Sequence, residues 1–474
     1  MTFSSLVFLL IFFPIVFLLY WACCNNHLRN ALLIIASLFF YAYGEPVAVL
    51  IMIVSICLNY YFGLLCAGVI GKKSENEKLL SVLKKIGLIA AVILNIGLLF
   101  VFKYAHFFLV SFGVQDTMFD LALPIGISFF TFQGLSYVVD VYRDKENVQK
   151  NLFSVMLYIS FFPQLIAGPI VKYHDIKEQL NQREFNTERI GRGIQRFIFG
   201  LGKKVLIAGP MGLMVDSVYG LDISGIGAAS AWIAAVSYIF QIYFDFSGYS
   251  DMAIGLGCIF GFDFKENFNK PYVAKTMQEF WRRWHISLST WFKEYVYIPL
   301  GGNRVSPIRT YINKFIVFLL TGLWHGANWT FLVWGIMHGI ALIIEDFVKR
   351  IWKEGEYKIK KWLTIVLDIF GHIYTLIFVT LTFVVFRADN LSSAIEMIGR
   401  MFSGGGSDIE AFSLLNPSYL IALTLAVIFS SSLPDKLIPK CKVWVLRVVS
   451  VVVYVISLGM LVAGGYNPFI YFRF

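Results

Sequence analysis

Long apolar runs constrain the fold of this chain more than any other feature. The segments 363–386 and 443–464 reach the roughly 20 apolar residues that an α-helix needs to cross a bilayer. Only 15% of the 474 residues are charged, whereas an average soluble domain has about 25%. The sequence therefore predicts an all-α, polytopic membrane helix bundle and excludes a soluble globular protein.

Further apolar segments indicate the size of this bundle. The first, 3–21, has no basic residue before it and no small-residue cleavage site after it, so we interpret it as a retained span and not as a signal peptide. Segment 152–171 contains two prolines and is interpreted as re-entrant. Together the segments predict about 11–13 membrane helices with re-entrant or interfacial helices between them. They lie at 3–21, 29–43, 47–70, 86–104, 121–141, 152–171, 197–219, 226–262, 312–347, 363–386, 417–433 and 443–464.

The basic residues predict an orientation. Lys and Arg outnumber Asp and Glu by five to two at 71–85, by six to two at 349–361 and by four to one at 433–447. By the positive-inside rule these linkers face the cytoplasm. We therefore expect a multi-pass protein of the cytoplasmic membrane with both termini outside the cytoplasm. The net charge of +10 has this origin and does not indicate a nucleic-acid partner.

No linker is long enough to hold a separate soluble domain, so the sequence predicts one membrane domain over 1–474. We divide it into N-terminal peripheral helices (1–120), a core (121–350), C-terminal helices (351–464) and an extracytoplasmic aromatic tail (465–474). The six cysteines are scattered in or beside apolar runs, a spacing that indicates neither a metal site nor a disulfide framework.

The run FWRRWHISLSTW at 280–291 predicts an amphipathic helix that continues to Lys293. Such a helix suits the membrane boundary and directs one imidazole, that of His285, toward the interior as a candidate catalytic group. The alternative is an ordinary aromatic anchor at the membrane surface. At about 3.6 residues per turn, the apolar stripe consists of Trp281, His285, Leu288 and Phe292.

A second histidine, His325, lies in the uncharged part of the segment 312–347. Ionisable groups inside the membrane are costly and usually functional, and burial favours the neutral imidazole that a general base needs. Asn328 is expected to orient a thioester carbonyl or the imidazole, and Trp324 is a further supporting candidate. His338 should point elsewhere on a straight helix. The alternative role for His325 is a hydrogen bond between helices.

A third cluster, QIYFDFSGYSDMAIG at 241–255, places acidic groups in an aromatic segment. Buried carboxylates there need partners. Asp245 is expected either to hold one of the histidines in a fixed tautomer or to pair with an arginine such as Arg282, and the sequence leaves both possibilities open. Ser247 is a supporting candidate in the same cluster.

The chain ends in the alternating aromatic sequence YNPFIYFRF at 466–474. If this tail folds back into a cavity, Tyr471 offers a phenol that can accept an acyl group when a base is near. The alternative is an interfacial aromatic belt that holds the last helix.

Several of these motifs resemble one known family in order along almost the whole chain. The sequence resembles the membrane-bound O-acyltransferases, and among them the alginate and peptidoglycan O-acetyltransferase branch, to which the teichoic-acid D-alanylation transporter is related. The matching stretches are QIYFDFSGYSDMAIG at 241–255, NFNKPY at 267–272, FWRRWHISLSTW at 280–291, YIPLGGNR at 297–304 and LWHGANWTFLVWG at 323–335.

The resemblance implies a helix bundle around a transmembrane tunnel, with the family's invariant histidine at His325 and its second histidine at His285. It also implies that an acyl group passes from a cytoplasmic thioester to an extracytoplasmic SGNH, or lipase-like, O-acetyltransferase, which places it on a polysaccharide or peptidoglycan acceptor. The aromatic tail resembles a C-terminal motif of this branch whose tyrosine is thought to carry the acyl group, here Tyr471.

We therefore predict an O-acyltransferase that uses acetyl-CoA as the donor, without a permanently bound cofactor or metal, and with His325, His285 and Tyr471 as catalytic residues. One alternative is acyl transfer, of D-alanine for example, from a carrier protein. Another is a proton-coupled transporter with an intramembrane relay. Four cations are candidates for the CoA phosphates: Arg282, Arg283, Lys293 and Arg304.

Overall fold

The computed structural model describes residues 1–70, 77–114, 121–184, 186–354, 361–403, 405–466 and 470. Their secondary structure is helical, and the described residues contain no strand apart from an isolated bridge between Ile226 and Ser407. The all-α fold that the apolar runs predict is confirmed.

The chain forms two compact units. Unit 1 comprises Met1–Phe197 and Tyr249–Lys265, and unit 2 comprises Ile198–Gly248 and Glu266–Phe474. The single domain that the sequence indicates, with its four parts, stays a prediction. The helices α10 and α12 begin in one unit and end in the other, so the chain changes unit within a helix.

The helices α1 to α10 begin in unit 1. They are α1 (Phe13–Ala22), α2 (Asn26–Ala42), α3 (Ala48–Cys66), α4 (Glu77–Leu99), α5 (Ala105–Ser111), α6 (Ile127–Arg143), α7 (Leu152–Ser160), α8 (Phe162–Leu165), α9 (Tyr173–Ile176) and α10 (Thr187–Gly202).

The helices α11 to α22 begin in unit 2. They are α11 (Gly209–Tyr219), α12 (Ala228–Ile259), α13 (Met277–Arg283), α14 (Ile286–Phe292), α15 (Pro307–His325), α16 (Trp329–Glu354), α17 (Lys361–Arg387), α18 (Leu391–Phe402), α19 (Ile409–Ser413), α20 (Pro417–Ser430), α21 (Leu433–Leu437) and α22 (Val443–Val462).

Six helical segments of the described chain are long and apolar enough to cross a membrane, and a seventh results if the bent pair around Ser431 is one span. The sequence predicts a larger number, about 11–13 membrane helices. The numbers differ because apolar composition does not reveal where a segment breaks. Predicted segment 3–21, for example, forms a shorter apolar helix over Phe8–Ala22. The six segments are Ala48–Cys66, Glu77–Ser111, Thr187–Tyr219, Trp329–Ile351, Trp362–Arg387 and Val443–Val462.

Unit 1 has an aromatic core with one buried polar pair. Phe40 of α2 lies 5.8 Å from Phe3 and 5.5 Å from Phe162 between ring centroids. Asn95 of α4 donates to Asn59 of α3 over 2.8 Å, and Asn59 donates back over 3.3 Å. Because an unsatisfied buried amide is costly, this exchange fixes α3 against α4.

In unit 2, α15 and α16 form a helical hairpin. The apolar pattern predicts one segment here. In the structure α15 ends at His325, Gly326 has an extended backbone, and α16 begins at Trp329. Glycines allow the two helices to approach closely, since a Cβ on Gly322 would lie 3.2 Å from the Cα of Gly335. The break places His325 at a helix end and not in the middle of a span.

Candidate active site

His285 lies between the short helices α13 and α14. The continuous helix that the sequence predicts through this position is wrong, because His285 has left-handed backbone angles of φ 43° and ψ 54°. The preceding loop supplies the reason. The Asn269 amide donates to the Arg283 carbonyl, and the Ile286 amide donates to the Asn267 carbonyl, both over 2.9 Å. These bonds stabilise the break between α13 and α14, where the sequence predicts a continuous helix.

Hydrogen bonds also fix the ring of His285, which is fully buried. Asn267 Oδ1 accepts from the Ser287 amide over 3.3 Å and from the Ser287 hydroxyl over 2.8 Å. The same oxygen lies 3.1 Å from His285 Nδ1. An oxygen can only accept, so Nδ1 carries the proton and Nε2 keeps the lone pair. Burial lowers the pKa of His285 to about 3, which keeps the imidazole neutral.

His325 lies in a cage of aromatic rings at the end of α15. Its ring centroid is 5.0 Å from Trp324, 5.2 Å from Trp334 and 5.0 Å from Phe386. It lines a narrow cavity of about 10 Å³, about the space that one water molecule needs. We call it the histidine cavity. Its other lining residues are Ile242, Phe246, Trp284, Phe383 and Ile470.

The two histidines share neighbours. Trp324 contacts His285 with 5.7 Å between ring centroids and is next to His325 in the chain. Phe246 lines the histidine cavity and lies 4.7 Å from His285. The structure thus brings together two histidines that are 40 residues apart in the sequence.

His338 also lies near this cluster, contrary to the expectation for a straight helix. Because the hairpin breaks after His325, the angle between the two residues cannot be counted along one helix. The Trp334 ring lies 5.2 Å from His325 and 4.6 Å from His338. His338 Nδ1 accepts from Trp281 Nε1 over 3.2 Å, so His338 packs behind Trp334.

A larger cavity of about 330 Å³ is lined in part by Trp281, and we call it the basic cavity. It is lined by Arg282 and Lys293, whose side chains are exposed and have no ion-pair partner among the residues that the structure describes. Trp281 lines the cavity and lies 5.7 Å from Trp334 of the histidine cavity. Its volume fits the usual range for small-molecule sites.

The other two predicted donor-binding cations differ from Arg282 and Lys293. Arg283 donates to Glu279 over 3.0 Å and 2.8 Å, so its guanidinium is already paired with a carboxylate. Arg304 is exposed on the segment after Gly302 and is not part of the cavity lining.

A third cavity of about 480 Å³ shares Phe386 with the histidine cavity. Asn328 lines it, but its side chain does not act as the sequence suggests. Asn328 Nδ2 donates to the Asp389 carbonyl over 2.8 Å, and its Oδ1 accepts from the Thr330 amide over 3.0 Å. The amide therefore caps the start of α16. Other lining residues include Asp216, Tyr219, Tyr238 and Arg387.

Among the described residues, Asp245 pairs with neither a histidine nor an arginine, so neither kind of partner that the sequence suggests is found there. It forms a buried ion pair with Lys204, which lies in the π-helical segment Lys203–Ala208. Ser247, two residues on in α12, is buried, and its hydroxyl has no hydrogen-bond partner among the described residues.

Tyr471 lies outside the described residues. Its predecessor Ile470 is described, and it lines the histidine cavity. The Ile470 amide donates to Asp245 Oδ2 over 2.9 Å. The end of the described chain therefore lies inside unit 2 beside His325.

Comparison with known protein families shows which family this chain belongs to. The sequence model of MBOAT, the membrane-bound O-acyltransferase family, matches residues 100–386, which include both histidines. The chain belongs to this family. As a membrane-bound O-acyltransferase it is an enzyme that moves acyl groups onto oxygen, and the resemblance stated from the motifs is confirmed.

Curated members are similar over most of the chain. A probable alginate O-acetylase of Pseudomonas syringae is 40% identical over 91% of this chain and 81% of its own length. A peptidoglycan O-acetyltransferase of Helicobacter pylori is 38% identical over 87% of this chain and 83% of its own length. A teichoic acid D-alanyltransferase of Bacillus subtilis is 28% identical over 51% of this chain and 64% of its own length.

Sequence reasoning missed several residues of this candidate site. Asn267 fixes the His285 ring and lies in the NFNKPY stretch, where an asparagine beside aromatic residues was the available signal. Ser287 follows the histidine by two positions. Lys204, Trp334 and Phe386 had no local signal, because their roles depend on contacts between distant segments.

Proposed function

We propose that this enzyme transfers an acetyl group from cytoplasmic acetyl-CoA across the membrane for O-acetylation of an extracellular or cell-wall polysaccharide. One observation carries the proposal. His325 lines a narrow cavity whose walls border the basic cavity through Trp281 and Trp334 and the third cavity through Phe386. An acyl group that moves between the two larger cavities would pass this imidazole.

The basic cavity is the proposed donor site. Guanidinium and ammonium groups bind phosphate oxygens by charge-assisted hydrogen bonds, and Arg282 and Lys293 line the cavity. The basic linker 349–361 continues from α16, whose Asp346 pairs with Lys314 of the cavity lining. By the positive-inside rule this end of the hairpin faces the cytoplasm, where acetyl-CoA is present.

His325 is the proposed general base. A neutral imidazole takes the proton from an attacking hydroxyl, while the narrow, mostly apolar cavity limits the access of water to the thioester. In the proposed step the Tyr471 oxygen attacks the thioester carbonyl, His325 takes the phenol proton, and the C–S bond breaks. The CoA thiolate leaves and receives that proton. His285 is held in the tautomer that has its lone pair on Nε2. We propose that this nitrogen accepts a hydrogen bond during the reaction or polarises the reacting groups.

The acetyl ester on Tyr471 is then passed on outside the cytoplasm. We propose that the hydroxyl of an SGNH-type partner attacks this ester, which restores the phenol, and that the partner places the acetyl group on the polymer. The alginate and peptidoglycan acetyltransferase names of the relatives support a polysaccharide or peptidoglycan acceptor.

The test is mass spectrometry of the purified enzyme after incubation with isotopically labelled acetyl-CoA. We expect labelled acetyl on Tyr471 in the parent and no adduct in His325→Ala, although that variant should still bind acetyl-CoA at Arg282 and Lys293. A Tyr471→Phe variant that O-acetylates polymer at the parent rate would rule out the relay. His325→Ala with parental acetylation would rule out the base.

A second candidate keeps the fold and changes the donor to an acylated carrier protein with D-alanine as the acyl group. The similarity to a teichoic acid D-alanyltransferase favours it. The two donors are distinguished by incubating membranes with labelled acetyl-CoA alone. Incorporation without any carrier protein supports acetyl-CoA, and incorporation only with an acylated carrier supports the second candidate.

A further inference from the structure

The last described residues of the chain contact helices that lie far away in the sequence. The Tyr466 hydroxyl donates to Asp216 Oδ2 of α11, and the Ile470 amide donates to Asp245 Oδ2 of α12 over 2.9 Å. Ile470 is only 4% exposed and lines the histidine cavity. The tail is thus held at two points, and the second lies beside His325.

The two carboxylates divide their oxygens in the same way. Asp216 Oδ1 accepts from Arg387 Nη2 over 2.8 Å, while its Oδ2 accepts from the tail. Asp245 Oδ1 accepts from Lys204, while its Oδ2 accepts from the tail. Lys204 neutralises the buried Asp245, which would be costly to bury alone, and Arg387 neutralises the half-buried Asp216. In each carboxylate the second oxygen accepts from the tail.

Glycines provide the space for the tail on α11. Gly209, Gly212 and Asp216 follow one another at intervals of three and four residues and so share one helix face. A Cβ on Gly209 would lie 2.8 Å from the Tyr466 carbonyl oxygen, and one on Gly212 would lie 2.9 Å from the Tyr466 ring. Larger side chains at these positions would push the tail away.

We propose that these four residues, Gly209, Gly212, Asp216 and Asp245, form a docking track whose ligand is the chain's own C-terminal tail. The track fixes the tail at Tyr466 and Ile470, so that Ile470 forms part of the wall of the histidine cavity. Asp216 and Asp245 are positioning residues: they act through the tail and not on the substrate. The inference rests on the proposed function only in taking the histidine cavity as the reaction centre.

The first test measures whether the tail is docked, without reference to activity. Ile470→Cys is introduced into a full-length chain whose six native cysteines are replaced, and the rate of maleimide labelling is measured in membranes. Ile409→Cys is the control, since Ile409 is 77% exposed. We expect Ile470→Cys to react at least about 10-fold more slowly than Ile409→Cys. Equal rates would overturn the proposal.

The second test separates the hydrogen bond to the tail from the ion pair. Two double variants both remove the buried charges, Lys204→Met/Asp245→Asn and Lys204→Met/Asp245→Leu. Replacing both partners of a buried ion pair need not unfold a protein. Only asparagine keeps an oxygen that can accept from the Ile470 amide. We expect Ile470→Cys to stay protected with asparagine and to label about 10-fold faster with leucine, and equal labelling would contradict the role of Asp245.

The third test uses the glycine face. Gly209→Ala places a methyl group against the Tyr466 carbonyl, whereas Gly459→Ala of α22 meets no atom within 4 Å. Alanine favours helix at both sites, so helix weakening cannot explain a loss. We expect Gly209→Ala to raise Ile470→Cys labelling and to lower kcat with little change in the KM for acetyl-CoA. If Gly459→Ala has the same effect as Gly209→Ala, the track is not the cause.

The outcomes also separate this inference from the proposed function. Protection of Ile470→Cys together with parental acetylation by His325→Ala would leave the docking track standing and remove the catalytic proposal. The opposite result is acetylation that depends on His325, rapid labelling of Ile470→Cys and a Gly209→Ala variant with parental activity. It would leave the catalytic proposal standing and remove the docking track.

Discussion

His285 and His325 lie at helix breaks in the same unit, but their surroundings hold them by different means. His285 is fully buried and donates from Nδ1 to Asn267 Oδ1, an oxygen that also accepts from the Ser287 hydroxyl. His325 is 8% exposed, is packed between aromatic rings and lines a cavity. Hydrogen bonds fix a tautomer, and of the two rings that of His325 is the one that lines the histidine cavity. On this basis we propose His325 for proton transfer and His285 for support in one fixed form.

The largest effect is expected from His325. A general base contributes about 10²- to 10⁴-fold to rate, so His325→Ala should lower acetyl transfer in membrane vesicles by that factor, and His285→Ala should lower it less. The control is His372→Asn, which keeps a donor for the Ala274 carbonyl and should retain activity. Should His285→Ala prove the more damaging change, the division of roles between the histidines is reversed.

The next largest effect is expected from the residue that orients His285. Asn267→Leu removes the oxygen beside Nδ1 and allows the other tautomer, and loss of such a supporting contact costs about 10- to 100-fold in activity. Ser287→Ala removes the hydroxyl that donates to this oxygen but keeps the Ser287 amide, so the loss of activity should be smaller. The measurement is kcat with thermal melting as a check on folding. A folded Asn267→Leu variant with unchanged kcat would show that the tautomer is irrelevant.

The donor site should show a smaller effect that is confined to binding. A hydrogen bond to a charged group contributes about 1.5–3 kcal/mol, so Arg282→Gln or Lys293→Gln should raise the KM for acetyl-CoA about 10-fold with little change in kcat. The neighbouring Arg283 is paired with Glu279, and Arg283→Gln serves as the matched control with a change below about 2-fold. Equal effects at 282 and 283 would mean that the basic cavity does not bind the donor.

The last effect concerns the pH dependence of stability, and no change in the rate of acyl transfer is involved. Burial lowers the pKa of His285 from 6.5 to about 3. Between these two pH values the imidazole binds a proton in the unfolded chain but not in the folded protein. Stability due to the neutral ring is therefore fully present above about pH 6.5 and falls by up to about 1.4 kcal/mol per pH unit toward pH 3. Thermal melting of the detergent-solubilised enzyme between pH 7 and pH 5 should drop less steeply for His285→Gln. Parallel curves would indicate that the ring is not buried.

Part of the fold was predictable because burial in a membrane leaves a compositional record. The apolar runs predict an all-α membrane protein correctly, since only helices satisfy the backbone within such runs. They do not reveal breaks. The interruptions at His285 and Gly326 depend on the loop around Asn267 and on the packing of α15 against α16, neither of which alters the local apolar pattern.

The candidate site was predictable to a similar degree. Unusual residue types in apolar surroundings mark His285, His325 and Asp245, because ionisable groups in such places are costly and need a reason. Their partners were not predictable. Lys204 is 41 residues from Asp245, and Ile470 is 225 residues from it, so neither contact leaves a periodic pattern.

The sequence by itself determined the membrane fold, the family and two candidate histidines, because apolar runs record burial in a membrane and the motifs around the histidines resemble those of the family. Only the tertiary structure decided that the helices break at both histidines, that Asn267 selects the tautomer of His285, and that the tail reaches the histidine cavity through Asp216 and Asp245. The physical reason is that hydrogen bonds and ring contacts act over a few ångströms in space, whatever the distance along the chain.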